Sequence, residues 1–230
     1  MNDNFIITKL LSNEDIKSIQ DLLKVSNENN FWKNGLESGG KPKTKNNLEL
    51  FNEDILKKIH LIILNKLNED QRFHHFTLPK SVNLNIVSKM ENGGFYNPHF
   101  DRYGNGDFST TVFLNDPNDY EGGELCLYIN DEEKKIKLGA GYAVTYPTGI
   151  LHRINKVISG VRYVSVFWTC SEIQDEFMRS ICLELKKIRF ILKSKLTDSE
   201  ESSSTCEEAS NNPVFLINNL EQIILRKFYS

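Results

Sequence analysis

At 230 residues the chain is long enough for one generous domain, or a core with extensions, and for a sizeable buried core. Its 28 Lys+Arg against 31 Asp+Glu leave a formal charge of −3, which removes any overall electrostatic case for nucleic acid or an anionic membrane surface. No apolar run approaches the roughly 20 residues that span a bilayer, and Met1-Asn2-Asp3-Asn4 does not open a secretory signal. Cys126, Cys170, Cys182 and Cys206 form no Cys-x-x-Cys pair, so free thiols in a reducing, cytoplasmic setting are the simplest reading.

Phe5-Ile6-Ile7 is a short apolar piece. Ser12 can cap a helix with Asp15 at its third position, and Ile16, Ile19, Leu22 and Leu23 follow at helical spacing, so a bracing helix is expected over about 13–25. Residues 33–47 are rich in glycine and lysine. They read either as a solvated loop or as a mobile basic lid, centred on 41–45, over a site that handles an acid. A second helix is expected from about 50 to 67, with Ile55, Ile59, Ile63 and Leu67 on its apolar face. The adjacent His74-His75 reads as a connector between helix and sheet, since neighbours cannot share one face of a strand.

From Pro79 the period shortens. Strands are expected around 82–87, 95–101, 110–114, 125–129, 134–138, 142–146 and 161–169, with a turn at Gly93-Gly94, a tight turn at Gly122-Gly123 and a hairpin turn at Asn130-Asp131. About eight short strands with such punctuation suggest a jelly roll, a cupin-like double-stranded β-helix. The fold class is therefore mainly β with flanking helices (α+β). After 170 the helical period returns with Ile181, Leu185 and Ile188. Residues 194–212 read as a flexible Ser/Glu-rich loop. A last helix, about 213–228, either packs back on the body or makes a contact between two copies, as in a homodimer. The expected organisation is an N-terminal support over 1–78, a core over 79–171 and C-terminal helices over 172–230.

The chemistry-bearing residues lie in the core. In a strand, positions two apart share a face, so His99 and Asp101 point together. A histidine from a distant strand, His152, can complete a triad of two imidazoles and one carboxylate. That facial arrangement suits a non-haem Fe(II) oxygenase because it leaves coordination positions open. Arg162 on the last strand needs a partner if buried, and an acidic co-substrate can be that partner. Blander readings exist for each: a core histidine for His99, a surface one for His152, a structural ion pair for Arg162. Glu121 and Glu124 could be read as a carboxylate pair, or as flanks of a tight glycine turn with at least one of them a surface charge; Tyr146 and Trp168 read as core, and Cys126 as apolar filler.

The run Gly93-Gly94-Phe95-Tyr96-Asn97-Pro98-His99-Phe100-Asp101 resembles the Gly-Gly-x-Tyr-x-Pro-His-x-Asp run of prolyl 4-hydroxylases, which are Fe(II)/2-oxoglutarate dioxygenases. The likeness to the PKHD-type hydroxylases is longer. It takes in Lys45-Asn46-Asn47, Phe113 to Pro117, Tyr120 to Leu125, Tyr146-Pro147, Leu151-His152 and Gly160-Val161-Arg162, and so covers about 45–230. The resemblance implies Fe(II), 2-oxoglutarate and O2, with ascorbate as an accessory. It implies His99, Asp101 and His152 as iron ligands and Arg162 as anchor of the far carboxylate of 2-oxoglutarate. This sequence departs from the prolyl 4-hydroxylases at Met90, where they carry a tyrosine that helps hold the same carboxylate. Methionine cannot donate that hydrogen bond, which leaves Tyr96, Ser109 or Thr111 to supply it. Three functions follow from this reading: hydroxylation of a peptidyl residue such as proline, the same chemistry on a small molecule, or a cupin-like binding module without chemistry.

Overall fold

Fourteen strands and six α-helices form among the residues described by this computed structural model, which are 4–39, 41–102, 104–195 and 205–229, with backbone alone at 84 and 85. In chain order the first half holds β1 (Ile6–Lys9), α1 (Asn13–Glu28), β2 (Trp32–Asn34), β3 (Lys45–Asn46), β4 (Leu48–Leu50), α2 (Glu53–Glu69) and α3 (Gln71–Thr77). The strand-rich middle holds β5 (Pro79–Met90), β6 (Phe95–His99), β7 (Phe108–Phe113), β8 (Tyr120–Gly122), β9 (Leu125–Ile129), β10 (Glu132–Ile136), β11 (Tyr142–Pro147), β12 (His152–Ile154), β13 (Val157–Gly160) and β14 (Arg162–Ser171). The helices α4 (Glu176–Lys193), α5 (Cys206–Asn211) and α6 (Pro213–Phe228) close the chain. No described helix is long and apolar enough to cross a membrane.

The strands form a seven-stranded sheet ordered β1-β11-β7-β14-β5-β4-β2, a five-stranded sheet ordered β10-β9-β12-β6-β3, and the pair β13-β8. Two large sheets with flanking helices are the expected jelly-roll class. The larger sheet is buried on both faces, which the alternation of its side chains explains. On β7 and β11, Val112 and Ala143 turn to the helix side, where Ile19, Ile59, Ile63 and Phe73 of α1, α2 and α3 pack. Their neighbours Phe113 and Val144 turn the other way and meet Leu125, Leu127 and Ile136 of the smaller sheet.

Local signals set several ends. Ser12 and Asp15 form the expected capping box at the start of α1, each side chain accepting from the other's backbone N–H. Asn130 and Asp131 both take positive φ (51° and 62°), the geometry of a two-residue turn that matches strand twist, and β9 and β10 pair directly across it.

The structure corrects the reading of two segments and refines a third, the connector between α2 and β5. Residues 33–47 are not one free loop: β2 pairs with β4, β3 pairs with β6, and Thr44 O accepts from Asn97 N at 2.8 Å. His74-His75 lies inside the short helix α3, where the His75 ring bonds Gln71 O one turn back. Within 194–212, Cys206–Asn211 is helical because Thr205 caps it, accepting from Glu208 N. The rest of that Ser/Glu-rich stretch, 196–204, lies outside the described residues.

The described residues sort into two compact units, Met1–Thr77 with Ser81–Cys170, and Leu78–Lys80 with Ser171–Ser230. Both large sheets' site-bearing strands belong to the first. In the second, α4 and α6 pack around Cys182 with Leu78, Ile173 and Phe228. The Arg189 guanidinium meets the buried Glu221 carboxylate there at 3.3 Å.

Candidate active site

The smaller sheet brings two histidines side by side. β12 pairs antiparallel with β6, and His152 stands directly opposite His99. Their ring centroids are 4.3 Å apart. Asp101 follows just beyond the end of β6, and its Oδ1 lies 3.9 Å from His99 Nε2 and 3.8 Å from His152 Nε2. The three potential ligand atoms lie within 4.8 Å of one another.

Each of the three side chains is held by a second contact that leaves one candidate ligand atom free. His99 Nδ1 is 2.8 Å from Asn97 O, and His152 Nδ1 is 2.9 Å from Ile150 O. A carbonyl accepts only, so each Nδ1 carries the proton and each Nε2 lone pair faces Asp101. Asp101 Oδ2 accepts from Ser109 Oγ at 2.6 Å and from Trp168 Nε1 at 2.9 Å, which leaves Oδ1 for a metal. Burial, with the His152 ring next, pushes the His99 pKa down to about 4. A neutral imidazole is the form that binds a cation.

The triad lies in a cavity of about 600 Å³ that also contains Arg162, Thr111 and Tyr146. Arg162, the first residue of β14, is 1% exposed. Among the described residues its Nε and Nη2 and the Tyr120 hydroxyl make no hydrogen bond of good geometry, although the hydroxyl and the guanidinium lie close enough to interact with each other. Among the described residues no carboxylate forms a salt bridge with it. Burial lowers its pKa, and the nearby Tyr120, Tyr146 and Glu124 work against that shift. Gly123 makes the room. Its φ is +69°, and a Cβ there would stand 3.1 Å from Arg162 Cδ and 3.0 Å from Tyr120 Cε2. Gly160 is needed likewise, since a Cβ at its φ of +74° would meet Asp119 O at 2.0 Å.

The other sequence-picked residues separate. Ser109 serves Asp101 rather than the guanidinium side. Tyr96 stacks on His99, with ring centroids 3.6 Å apart and planes 17° from parallel. Thr111 and Tyr96 both line the cavity, and the Thr111 side chain meets the Tyr146 hydroxyl, whereas Ser109 is not among the lining residues. Met90 is buried and packs on Tyr120 and Val157, an apolar contact that supplies no hydrogen-bond donor, as expected. Trp168, read as core, is a hydrogen-bond donor to Asp101. Its spacing from that residue, 67 positions, carries no local signal.

The model of the 2OG-Fe(II) oxygenase superfamily matches residues 85–170. A PKHD-type hydroxylase of Prochlorococcus marinus strain AS9601 is 34% identical over 189 residues, which is 79% of this chain and 85% of that one. The chain belongs to the PKHD-type hydroxylases. A second member, from Thermosynechococcus vestitus, is 33% identical over 89% of this chain and 95% of its own. This PKHD-type chain also shares its fold with a Pseudomonas putida prolyl-4-hydroxylase, at TM-score 0.53 and 15% identity over 73% of this chain and 92% of that one. A prolyl hydroxylase of Trichoplax adhaerens, solved with a peptide fragment of a hypoxia inducible factor oxygen degradation domain, matches at TM-score 0.57 and 15% identity over 74% and 84%. It is thus a hydroxylase of the 2OG-Fe(II) oxygenase superfamily, with iron(II), 2-oxoglutarate and O2 as the family's reagents.

Proposed function

We propose that this hydroxylase acts on an unactivated C–H of a peptidyl residue such as proline, with His99, Asp101 and His152 holding Fe(II) and Arg162 anchoring the far carboxylate of 2-oxoglutarate. The observation that carries this is the buried Arg162 guanidinium, which among the described residues has no carboxylate partner, in the same cavity as an open-sided His-Asp-His set. Two free Nε2 atoms and one free carboxylate oxygen suit a divalent iron, and two orphaned N–H groups suit a carboxylate. The peptide reading draws support from the fold neighbour solved with a peptide fragment.

When bound, iron and 2-oxoglutarate supply the oxidising chemistry, whose balance is O2 plus 2-oxoglutarate plus C–H giving C–OH, succinate and CO2. The chain's own residues supply geometry. Asn97 O and Ile150 O fix the two ring tautomers, and Ser109 and Trp168 fix the carboxylate. Arg162 orients the dicarboxylate, and Tyr146 and Thr111 close the wall beside it. No side chain is required as a general base.

The test is succinate release from the Fe(II)-loaded protein with 2-oxoglutarate, O2 and ascorbate, with and without a peptide library. Peptide-stimulated succinate and a +16 Da peptide product are expected. Iron-loaded protein that makes no succinate in any condition would refute the assignment of the site. Stimulation by small molecules alone would refute the peptidyl substrate.

A further inference from the structure

The cavity holds a second polar group that the site above does not use. Lys45 and Glu49 lie on its wall with their side chains only 6% and 8% exposed, Nζ and Oε1 being 3.5 Å apart. A buried ion pair is poor evidence of stability, because desolvating both charges costs about as much as their attraction returns. This pair is also incompletely satisfied. The ammonium has three N–H donors, and among the described residues two find acceptors, Ser38 Oγ at 3.1 Å and the long contact to Glu49. Every bond to Glu49 falls on Oε1, from Ser38 Oγ at 2.8 Å, Asn47 Nδ2 at 3.3 Å and Lys45. Among the described residues Oε2 accepts none.

The pair stands close to the reacting centre. Lys45 Nζ lies 5.6 Å from the Tyr96 ring centroid, and that ring stacks directly on His99. The cavity wall beside Tyr96 thus carries, among the described residues, an ammonium with one N–H unused and a carboxylate with one oxygen unused.

We propose that Lys45 and Glu49 read the substrate's main chain: Lys45 donates to the C=O, and Glu49 Oε2 accepts from the N–H, of one residue in an extended peptide. A residue in extended conformation turns its own N–H and C=O to the same side, as in the paired positions of an antiparallel sheet. Two charged partners on one wall match that pattern. The residue read is a neighbour of the hydroxylated one if that is proline, since proline has no N–H. The inference rests on the peptidyl reading and adds its recognition element.

The experiment uses the full chain, anaerobic, with Fe(II) and 2-oxoglutarate, so that peptide binds without turnover. The probes are a capped Ala-Ala-Pro-Ala-Ala peptide and a series in which each non-proline backbone N–H is replaced in turn by an ester oxygen. Calorimetry gives Kd for each on the wild type and on the Lys45→Met/Glu49→Leu double variant, whose apolar pair keeps the site uncharged and packed. The visible charge-transfer band of the iron–2-oxoglutarate complex and Tm report an intact cofactor site and fold. One ester position is expected to weaken binding by about tenfold or more in the wild type, and that ester-to-amide ratio is expected to fall to about one in the double variant. A flat ester series, or a sensitive position equally sensitive in the double variant, would overturn the inference and leave the peptidyl reading standing. A wild type that forms the band yet binds none of the peptides would overturn the peptidyl reading, and this inference with it.

Discussion

Replacing Arg162 by methionine should move stability and co-substrate binding in opposite directions. The guanidinium is 1% exposed, with Nε and Nη2 unpaired. Each buried, unsatisfied N–H costs about 1–3 kcal/mol. Methionine follows the same stem past Gly123 and removes both costs. It loses the guanidinium's position over the Phe113 ring, 5.7 Å from its centroid, a contact worth about 2 kcal/mol at a desolvated site. The net expectation is that the ligand-free R162M protein gains about 1–3 kcal/mol, or roughly 2–10 °C in Tm for a chain of this size. Binding of 2-oxoglutarate loses a two-point charged contact worth about 3 kcal/mol or more, so its Kd rises at least about 100-fold. The assay is thermal unfolding of both proteins across a 2-oxoglutarate titration with a redox-inert divalent ion present. The wild type should start lower and climb with ligand, whereas R162M should start higher and stay flat. A variant that is less stable without ligand and still shifts with 2-oxoglutarate would show that Arg162 is a structural residue, and the anchor would lie elsewhere.

Ser109→Ala and Trp168→Phe each remove one of the two donors to Asp101 Oδ2, and each is expected to weaken iron binding roughly tenfold, measured by competition with a chromophoric chelator. Unchanged affinity in the double variant would mean that the carboxylate is oriented by something else. Gly123→Ala places a side chain at φ +69° and 3.1 Å from Arg162 Cδ, so it should cost about 1–3 kcal/mol of stability and weaken 2-oxoglutarate binding together. A fall in Tm with normal 2-oxoglutarate affinity would separate the turn from the anchor. His60 on α2 is pushed by burial from 6.5 down to about 4, and among the described residues its Nε2 has no partner. The unfolded chain then binds the extra proton between those two pH values, so stability is full above about 6.5 and falls as pH drops towards 4. Partial solvent access holds this loss to about 1–2 kcal/mol, and His60→Leu should remove it in urea melts at pH 7 and 4.5. Parallel losses in the two proteins would place the acid sensitivity elsewhere.

What was legible in the chain was whatever repeats or caps locally. The change of hydrophobic period at Pro79 marks the start of β5, and Asn130-Asp131 is the hairpin turn itself. Ser12 and Asp15 mark the start of α1 through side-chain bonds that span three residues. The short strands β2, β3 and β4 stayed hidden because two or three residues cannot display a period. Lys45 illustrates the difficulty: among glycines and lysines it reads as solvated charge, yet Glu49 and Ser38 draw it under the surface.

The same division runs through the active site. His99 and Asp101 are visible because strand geometry couples positions two apart, and His152 and Arg162 because the family's order of motifs fixes them. The groups that make the triad competent come from farther away and have no fixed spacing. Asp101 presents Oδ1 to the two histidines while Ser109, 8 residues on, and Trp168, 67 residues on, occupy Oδ2. Both lie on strands of the larger sheet, directly opposite each other in the pairing of β14 with β7. The register that joins those strands is what orients the carboxylate. It is fixed by Phe113 and Val164 packing on the smaller sheet, and by Val112 and Phe167 packing on the helices. A slip of one residue would turn Ser109 and Trp168 away from the site together with every apolar contact that holds the sheets. Core packing and the orientation of the proposed iron site are therefore set by one register, and the His-x-Asp motif states only half of it.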